Sequence, residues 1–371
     1  MKKILILILL ALLTLDGYGQ KLNNEKLRIL LVVSSYGKDG GESRPGFELD
    51  ELSQAYWILK DNNVSIDLAS PKGGKVTPDE FNPKKPYNLR FLEDKEAMGL
   101  LENTRSTAEL VQKSYDGIFV IGGKGAMFDL PVDPSLQDLI AKTFKESGKI
   151  GAVCHGAAAF VNIKVDDKYI IADQKLTGYC NSEEEKFGKK WVGEFQFLLE
   201  NKLLERGAVY EKGFDMLPFA VTDTHFVTGQ NPYSTSLVVE DFLKSLGVEV
   251  AARDEYFDVK SMFLVRRALN GEYEWVKNEI SKNQSAYDLE LIAVYGYYEL
   301  LHSMENKEVI KRGLSVIELV SPYFFNEHLA METAKAYLKV EEKAKAKLIL
   351  QELIYKGLLT DKAEEILNGI N

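Results

Sequence analysis

"KIGAVCHGAAAF", residues 149–160, decides how the larger part of this 371-residue chain is read. An apolar run ends in Cys154 and His155, and Gly156 with three alanines follows at once. A run of that kind, bounded by small residues, is a strand covered on both faces, and the Gly/Ala string lets the chain turn sharply into a helix. A side chain at such a turn stands at the carboxyl end of a parallel sheet, where ligands collect. The chain has one other cysteine, Cys180. Two thiols make no disulfide framework, so Cys154 reads as a reagent and not as a staple. A helix N-terminus and the adjoining His155 would both favour its thiolate form.

Working outward, "LRILLVVS" (27–34), "VSIDLAS" (64–70) and "GIFVIGG" (117–123) repeat the pattern of an apolar run closed by small or turn residues. Helical stretches lie between them, so residues 27–248 read as an α/β domain built on a mostly parallel sheet. The first helix, 47–60, carries Leu52, Ala55, Tyr56 and Leu59 as its core stripe, with Glu51 at the edge of that stripe. Residues 71–105 are rich in Pro, Lys and Asn and read as an irregular loop over a sheet end. Short strands are expected near 169–172 and 175–177, a hairpin-like return over 219–229, and a helix opening at Pro232 after Asn231.

Beyond residue 252 the pattern changes. Residues 253–371 hold a single proline, Pro322, and read as successive amphipathic helices, an all-α domain over 255–371. Pairs such as "DLELIAVYGYYELLHSM" and "EHLAMETAKAYLKV" loosely resemble tetratricopeptide-type hairpins, with a plain helical bundle as the alternative. A surface of that kind is the place for a protein partner, and a homodimer is compatible with the sequence. The formal net charge of −10 and the lack of a basic cluster argue against nucleic acid. Residues 1–19, with Lys2 and Lys3 ahead of a short apolar run, have the order of a secretory signal peptide, so the protein is expected in the periplasm or outside the cell. There is no P-loop, dinucleotide fingerprint or zinc-ligand spacing, and no histidine in 27–153, so neither cofactor nor metal is expected.

"YDGIFVIGGKGAMFDLP" (115–131), "AVCHGAAAF" (152–160), "SRPGFELDELSQAYWILKDNNVSIDLASPKGG" (43–74), "LTGYCNSEEE" (176–185) and "VTGQNPYSTS" (227–236) together resemble the DJ-1/PfpI superfamily, in its Hsp31-like, glyoxalase III-type branch. The resemblance covers residues 27–248 only. It implies a flavodoxin-like three-layer α/β/α sandwich and a triad of Cys154 as nucleophile, His155 as base and Glu184 as acid, with Glu183 the alternative acid. It also carries over Glu51, whose half-buried carboxyl beside a thiol would either sit protonated or shuttle protons. Gly123 and the amides of Lys124 and His155 are the expected oxyanion donors. Lys124 stands where the glyoxalase III pattern has His, exchanging a proton-shuttling imidazole for a fixed positive charge. Asn231 and Pro232 are read as shaping a turn near the site, and His225, His302 and His328 as structural. The activity implied is conversion of a small reactive carbonyl such as methylglyoxal. Amide hydrolysis by the same triad, and a non-enzymatic stress chaperone or scaffold, are the alternatives.

Overall fold

The structure, a computed structural model, describes residues 26–303 and 305–370. The signal-peptide reading of residues 1–19 lies outside the described residues.

Five parallel strands form the centre of a seven-stranded sheet: β1 (Arg28–Val32), β2 (Ser65–Ser70), β4 (Gly117–Val120), β5 (Lys149–Val153) and β7 (Phe226–Gly229). Two-residue β3 (Arg105–Ser106) extends one edge, and β6 (Ala220–Thr222) pairs antiparallel with β7 at the other. The spatial order is β6-β7-β5-β4-β1-β2-β3. Counted by the five long strands, this is the flavodoxin-like order 2-1-3-4-5, whose direction reverses between β1 and β4. All of β4, and all of β1 but its first residue, is buried, as the continuous apolar runs require of strands covered on both faces.

Helix α1 (Leu49–Asp61) follows β1, and eleven of its thirteen residues, Glu51 among them, are buried. Residues 71–105 depart from the expected loop, because α2 (Pro86–Glu93) and α3 (Lys95–Glu102) form within them. Pro86 supplies a first-turn residue that needs no N–H partner, and the Asp94 carboxylate accepts from the Ala97 N–H to start α3. Buried Tyr87, Phe91, Ala97 and Leu101 then hold both helices down. Helix α4 (Pro134–Lys145) packs against β4 and β5. The strands expected near 169–172 and 175–177 shrink to Lys168–Tyr169 and Lys175–Leu176. Helix α5 (Asn181–Phe187) carries the three glutamates, and the return over 219–229 is the β6–β7 hairpin. Pro232 opens a short 3-10 turn that runs into α6 (Thr235–Ser245), which packs on α1 and β5.

An extended segment leads from α6 to the helical unit: α7 (Phe257–Arg267), α8 (Tyr273–Lys282), α9 (Leu289–Leu301), α10 (Lys307–Val320), α11 (Glu327–Lys339), α12 (Lys343–Tyr355) and α13 (Thr360–Asn368). Asp288, Asn306 and Asn326 cap α9, α10 and α11 with their side chains. Helices α9 and α10 cross closely at Gly296 and Gly313, where a Cβ on either would come within 2.8 Å of the other's carbonyl oxygen. Helix α7 touches α9, α9 touches α11, and α8 touches α10. Two apolar cores result, and the first also takes in Leu217 of the α/β unit.

Candidate active site

Cys154 follows the last residue of β5 with φ +58, a left-handed conformation that is uncommon for a residue with a side chain. The strain holds its sulfur at the sheet end. Glycine is required two residues later, since a Cβ on Gly156 would lie 2.4 Å from the Val120 carbonyl oxygen. Gly123, after β4, has φ +94 and sits against the Glu48 amide, so its own N–H can reach the thiol.

Cys154 Sγ lies 3.3 Å from His155 Nδ1, and His155 Nε2 meets Glu184 Oε1 in a short contact. The imidazole is clamped by Tyr179 and Phe195, with ring centroids 4.5 and 6.0 Å away. Cys154, His155 and Glu184 are all buried. Glu183 is directed elsewhere: its carboxylate accepts from the N–H groups of Met216 and Cys180 and from the side-chain amides of Gln230 and Asn231. It ties the start of α5 to two neighbouring loops, while Glu184, one residue on, reaches the histidine. Asn231 thus shapes its turn and also holds Glu183.

The Glu51 carboxyl is fully buried, accepts the Gly122 N–H at 2.7 Å and faces the Cys154 thiol. Burial, reinforced by Glu48, holds it well above the usual carboxylate range, which favours its protonated form. Its Oε1 is buried with no hydrogen-bond partner.

The thiol does not follow the expectation of a lowered pKa. Burial pushes Cys154 well above the ordinary thiol range, negative charge on Glu51 and Glu183 adds to this, and the N–H groups of His155 and Gly123 offset it only in part. The helix that was to supply a dipole is a buried seven-residue 3-10 segment, Cys154–Phe160, and not an α-helix. Alkylation of Cys154 by iodoacetamide should therefore climb about tenfold per pH unit between roughly pH 7 and 9, as the thiolate fraction does below a thiol's pKa. A plateau across that range would mean a low-pKa thiol instead.

Of the expected oxyanion donors, the N–H groups of Gly123 and His155 point at the sulfur. The half-buried Lys124 side chain instead lines an open cavity of about 730 Å³ together with Glu48, Asp79, Phe81, Lys190 and Trp191. The Lys124 ammonium acts there on Glu48, whose carboxyl burial and the nearby Asp50 and Asp79 push up to about 8. Glu48 was not singled out from the sequence, although its place three residues before Glu51 on the same helix start is the signal that would have found it. His225 packs on Phe144, and His302 on Phe187 and Tyr298, both away from the thiol. Among the described residues no three His, Cys, Asp or Glu side chains are grouped to hold a metal ion.

The DJ-1/PfpI family matches residues 43–245, more than half of the chain. The chain belongs to the DJ-1/PfpI family. Among its DJ-1/PfpI relatives, a glutathione-independent glyoxalase of Schizosaccharomyces pombe is 28% identical over 233 residues, covering 58% of this chain and 96% of the relative. Glyoxalase 3 of Candida albicans is 29% identical over 235 residues, covering 58% and 97%. The crystal structure of glyoxalase III from Candida albicans superposes with a TM-score of 0.54 at 26% identity, covering 59% of this chain and 97% of that one. The Rapid Encystment Protein 24 KDa of Francisella tularensis gives a TM-score of 0.56 at 30% identity, covering 59% and 99%. The family match ends at residue 245, so the whole helical unit lies beyond it.

Proposed function

We propose that this protein is a cofactor-independent glyoxalase that isomerises and hydrates methylglyoxal, or a similar small 2-oxoaldehyde, to the 2-hydroxy acid without glutathione. The observation that carries the reading is the buried Glu51 carboxyl held on Gly122 and facing the Cys154 sulfur. A nucleophile elbow with a His and an acid serves acyl transfer equally well, but a second, buried carboxyl facing the sulfur suits a substrate whose carbon-bound hydrogen must move.

On this reading the Cys154 sulfur adds to the aldehyde carbon while its proton passes to His155 Nδ1, and Glu184 steadies the imidazolium that forms. Glu51 gives its proton to the aldehyde oxygen, completing a hemithioacetal and becoming a carboxylate. That carboxylate removes the hydrogen on the former aldehyde carbon, and the enediolate is held by the Gly123 and His155 N–H groups. Glu51 returns the proton to the neighbouring carbon, and the hydroxyl proton shifts between the two oxygens, leaving a thioester of the hydroxy acid. Water gives one proton to the Glu51 carboxylate as its hydroxide adds to the thioester carbonyl, the C–S bond breaks, and the leaving thiolate takes back the proton held on His155, which restores the resting thiol, imidazole and carboxyl. No oxidant is needed, because one carbon is oxidised as its neighbour is reduced.

The secretory reading of residues 1–19 would put this reaction in the periplasm or outside the cell. The test of the function is a substrate comparison: purified protein supplied in parallel with methylglyoxal and with peptide and amide substrates, and Cys154→Ala as control. Lactate from the first and no cleavage of the others is the expected result. Cleavage of amides with no lactate would replace this reading by the hydrolase one.

A further inference from the structure

Besides the apolar contact at Leu217, the helical unit meets the α/β unit at two polar clusters that each adjoin one of the carboxylates used above. Lys186 stands two residues after Glu184 on α5, and its Nζ lies 2.7 Å from Asp215 Oδ2 and 3.2 Å from Glu299 Oε1 of α9. The other Glu299 oxygen accepts from Arg312 Nε of α10 at 2.6 Å. Next to Lys186, the Phe187 ring packs against Tyr298 of α9 with centroids 5.5 Å apart. Ser182, at the start of α5, donates to the same Asp215. Helix α5 is thus held from inside by Asp215 and from outside by α9.

The second grip is on Lys85 and Tyr87 at the start of α2, and through them on α1. Asp258 of α7 accepts from the Tyr87 hydroxyl at 2.7 Å and pairs with Lys85 Nζ at 3.0 Å. Tyr87 and Lys85 both reach Asp50 as well, and Asn88 donates to it. Asp50 immediately precedes Glu51. The side chains of Asp258, Asp50 and Glu299 are 14%, 13% and 5% exposed, so these are shielded pairs in which loss of one partner is felt by the other.

We propose that the helical unit is a positioning clamp for the two carboxylates of the active site, in which Glu299 holds the helix of Glu184 through Lys186 and Asp258 holds the helix of Glu51 through Lys85 and Asp50. Glu299 and Asp258 touch no reacting atom. They act by fixing where α5 and α1 lie against the sheet, and small misplacements of positioned groups cost large factors in rate. The helical unit is then part of what makes the site work, and whatever binds that unit bears on turnover.

The clamp rests on the roles given to Glu184 and Glu51, and its test has one readout that needs no turnover. Isosteric Glu299→Gln and Asp258→Asn in the full chain should each lower kcat for methylglyoxal by about tenfold with KM within about twofold of wild type. Glu299→Gln should also slow alkylation of Cys154 by about the same factor, because a displaced Glu184 no longer orients His155. Glu341→Gln, in an exposed pair with Lys307 on the same unit, should change neither. If Glu299→Gln does not fold, Glu299→Asp keeps the charge, draws it back by one methylene and should give a smaller loss of the same kind. Folded variants with a lowered Tm but wild-type kcat and alkylation would overturn the clamp and leave the contacts as packing alone. A wild type inert to methylglyoxal would overturn the glyoxalase reading, while the alkylation comparison still decides the clamp.

Discussion

Replacing Glu51 by Gln should lower kcat for methylglyoxal by about 100-fold or more, about 2.7 kcal/mol of barrier, while the protein stays folded. The amide keeps the shape of the carboxyl and one oxygen to accept the Gly122 N–H, so the local structure survives. What goes is the group that protonates the aldehyde oxygen and then takes hydrogen from carbon. His155 cannot stand in, because its Nδ1 is engaged with the sulfur and its Nε2 with Glu184. Amide hydrolysis would make no such demand, since His155 there supplies both proton steps. Steady-state rates of lactate formation decide the matter, and a Glu51→Gln variant within about threefold of wild type would remove the isomerisation step from the mechanism.

Cys154→Ser should be more severe, with turnover lower by about 1,000-fold or more. A serine hydroxyl fits the volume of the thiol, and the strained φ of +58 is set by the backbone turn and not by the sulfur, so folding should persist. The hydroxyl is far less nucleophilic than the thiol, and the same buried, carboxylate-lined surroundings that raise the thiol pKa disfavour an alkoxide still more. Native mass spectrometry in the presence of methylglyoxal, without reduction, should find a reversible adduct in Glu51→Gln that Cys154→Ser lacks. Near-normal turnover by Cys154→Ser would mean that the sulfur is not the nucleophile.

Much of this architecture was legible because it is written locally. The apolar runs at β1, β2, β4 and β5 each end in small residues, and Cys154 with Gly156 announces a strand-to-helix turn over a few positions. The choice between Glu183 and Glu184 was not legible. Both lie in one helical turn, and only the distant Met216, Gln230 and Asn231 draw Glu183 aside. Helices α2 and α3 were hidden by a Pro- and Lys-rich composition, since their stability comes from burying Tyr87, Phe91 and Leu101 and not from an obvious stripe. The expected low thiol pKa departs from the structure for a related reason: the neighbours in sequence favour thiolate, whereas burial and the nearby acidic side chains of Glu51 and Glu183 arrive through the fold. The links from Asp258 to Tyr87 and from Glu299 to Lys186 join residues 171 and 113 positions apart, beyond the reach of any local pattern.

The most direct test is the balance sheet of the wild-type reaction. Purified full-length protein, freed of thiols and given methylglyoxal without glutathione, should consume the aldehyde and yield one lactate for each methylglyoxal lost, as quantified by NMR against a Cys154→Ser control. Disappearance of methylglyoxal with no lactate, or lactate formed equally by the Cys154→Ser protein, would contradict a Cys154-borne isomerisation.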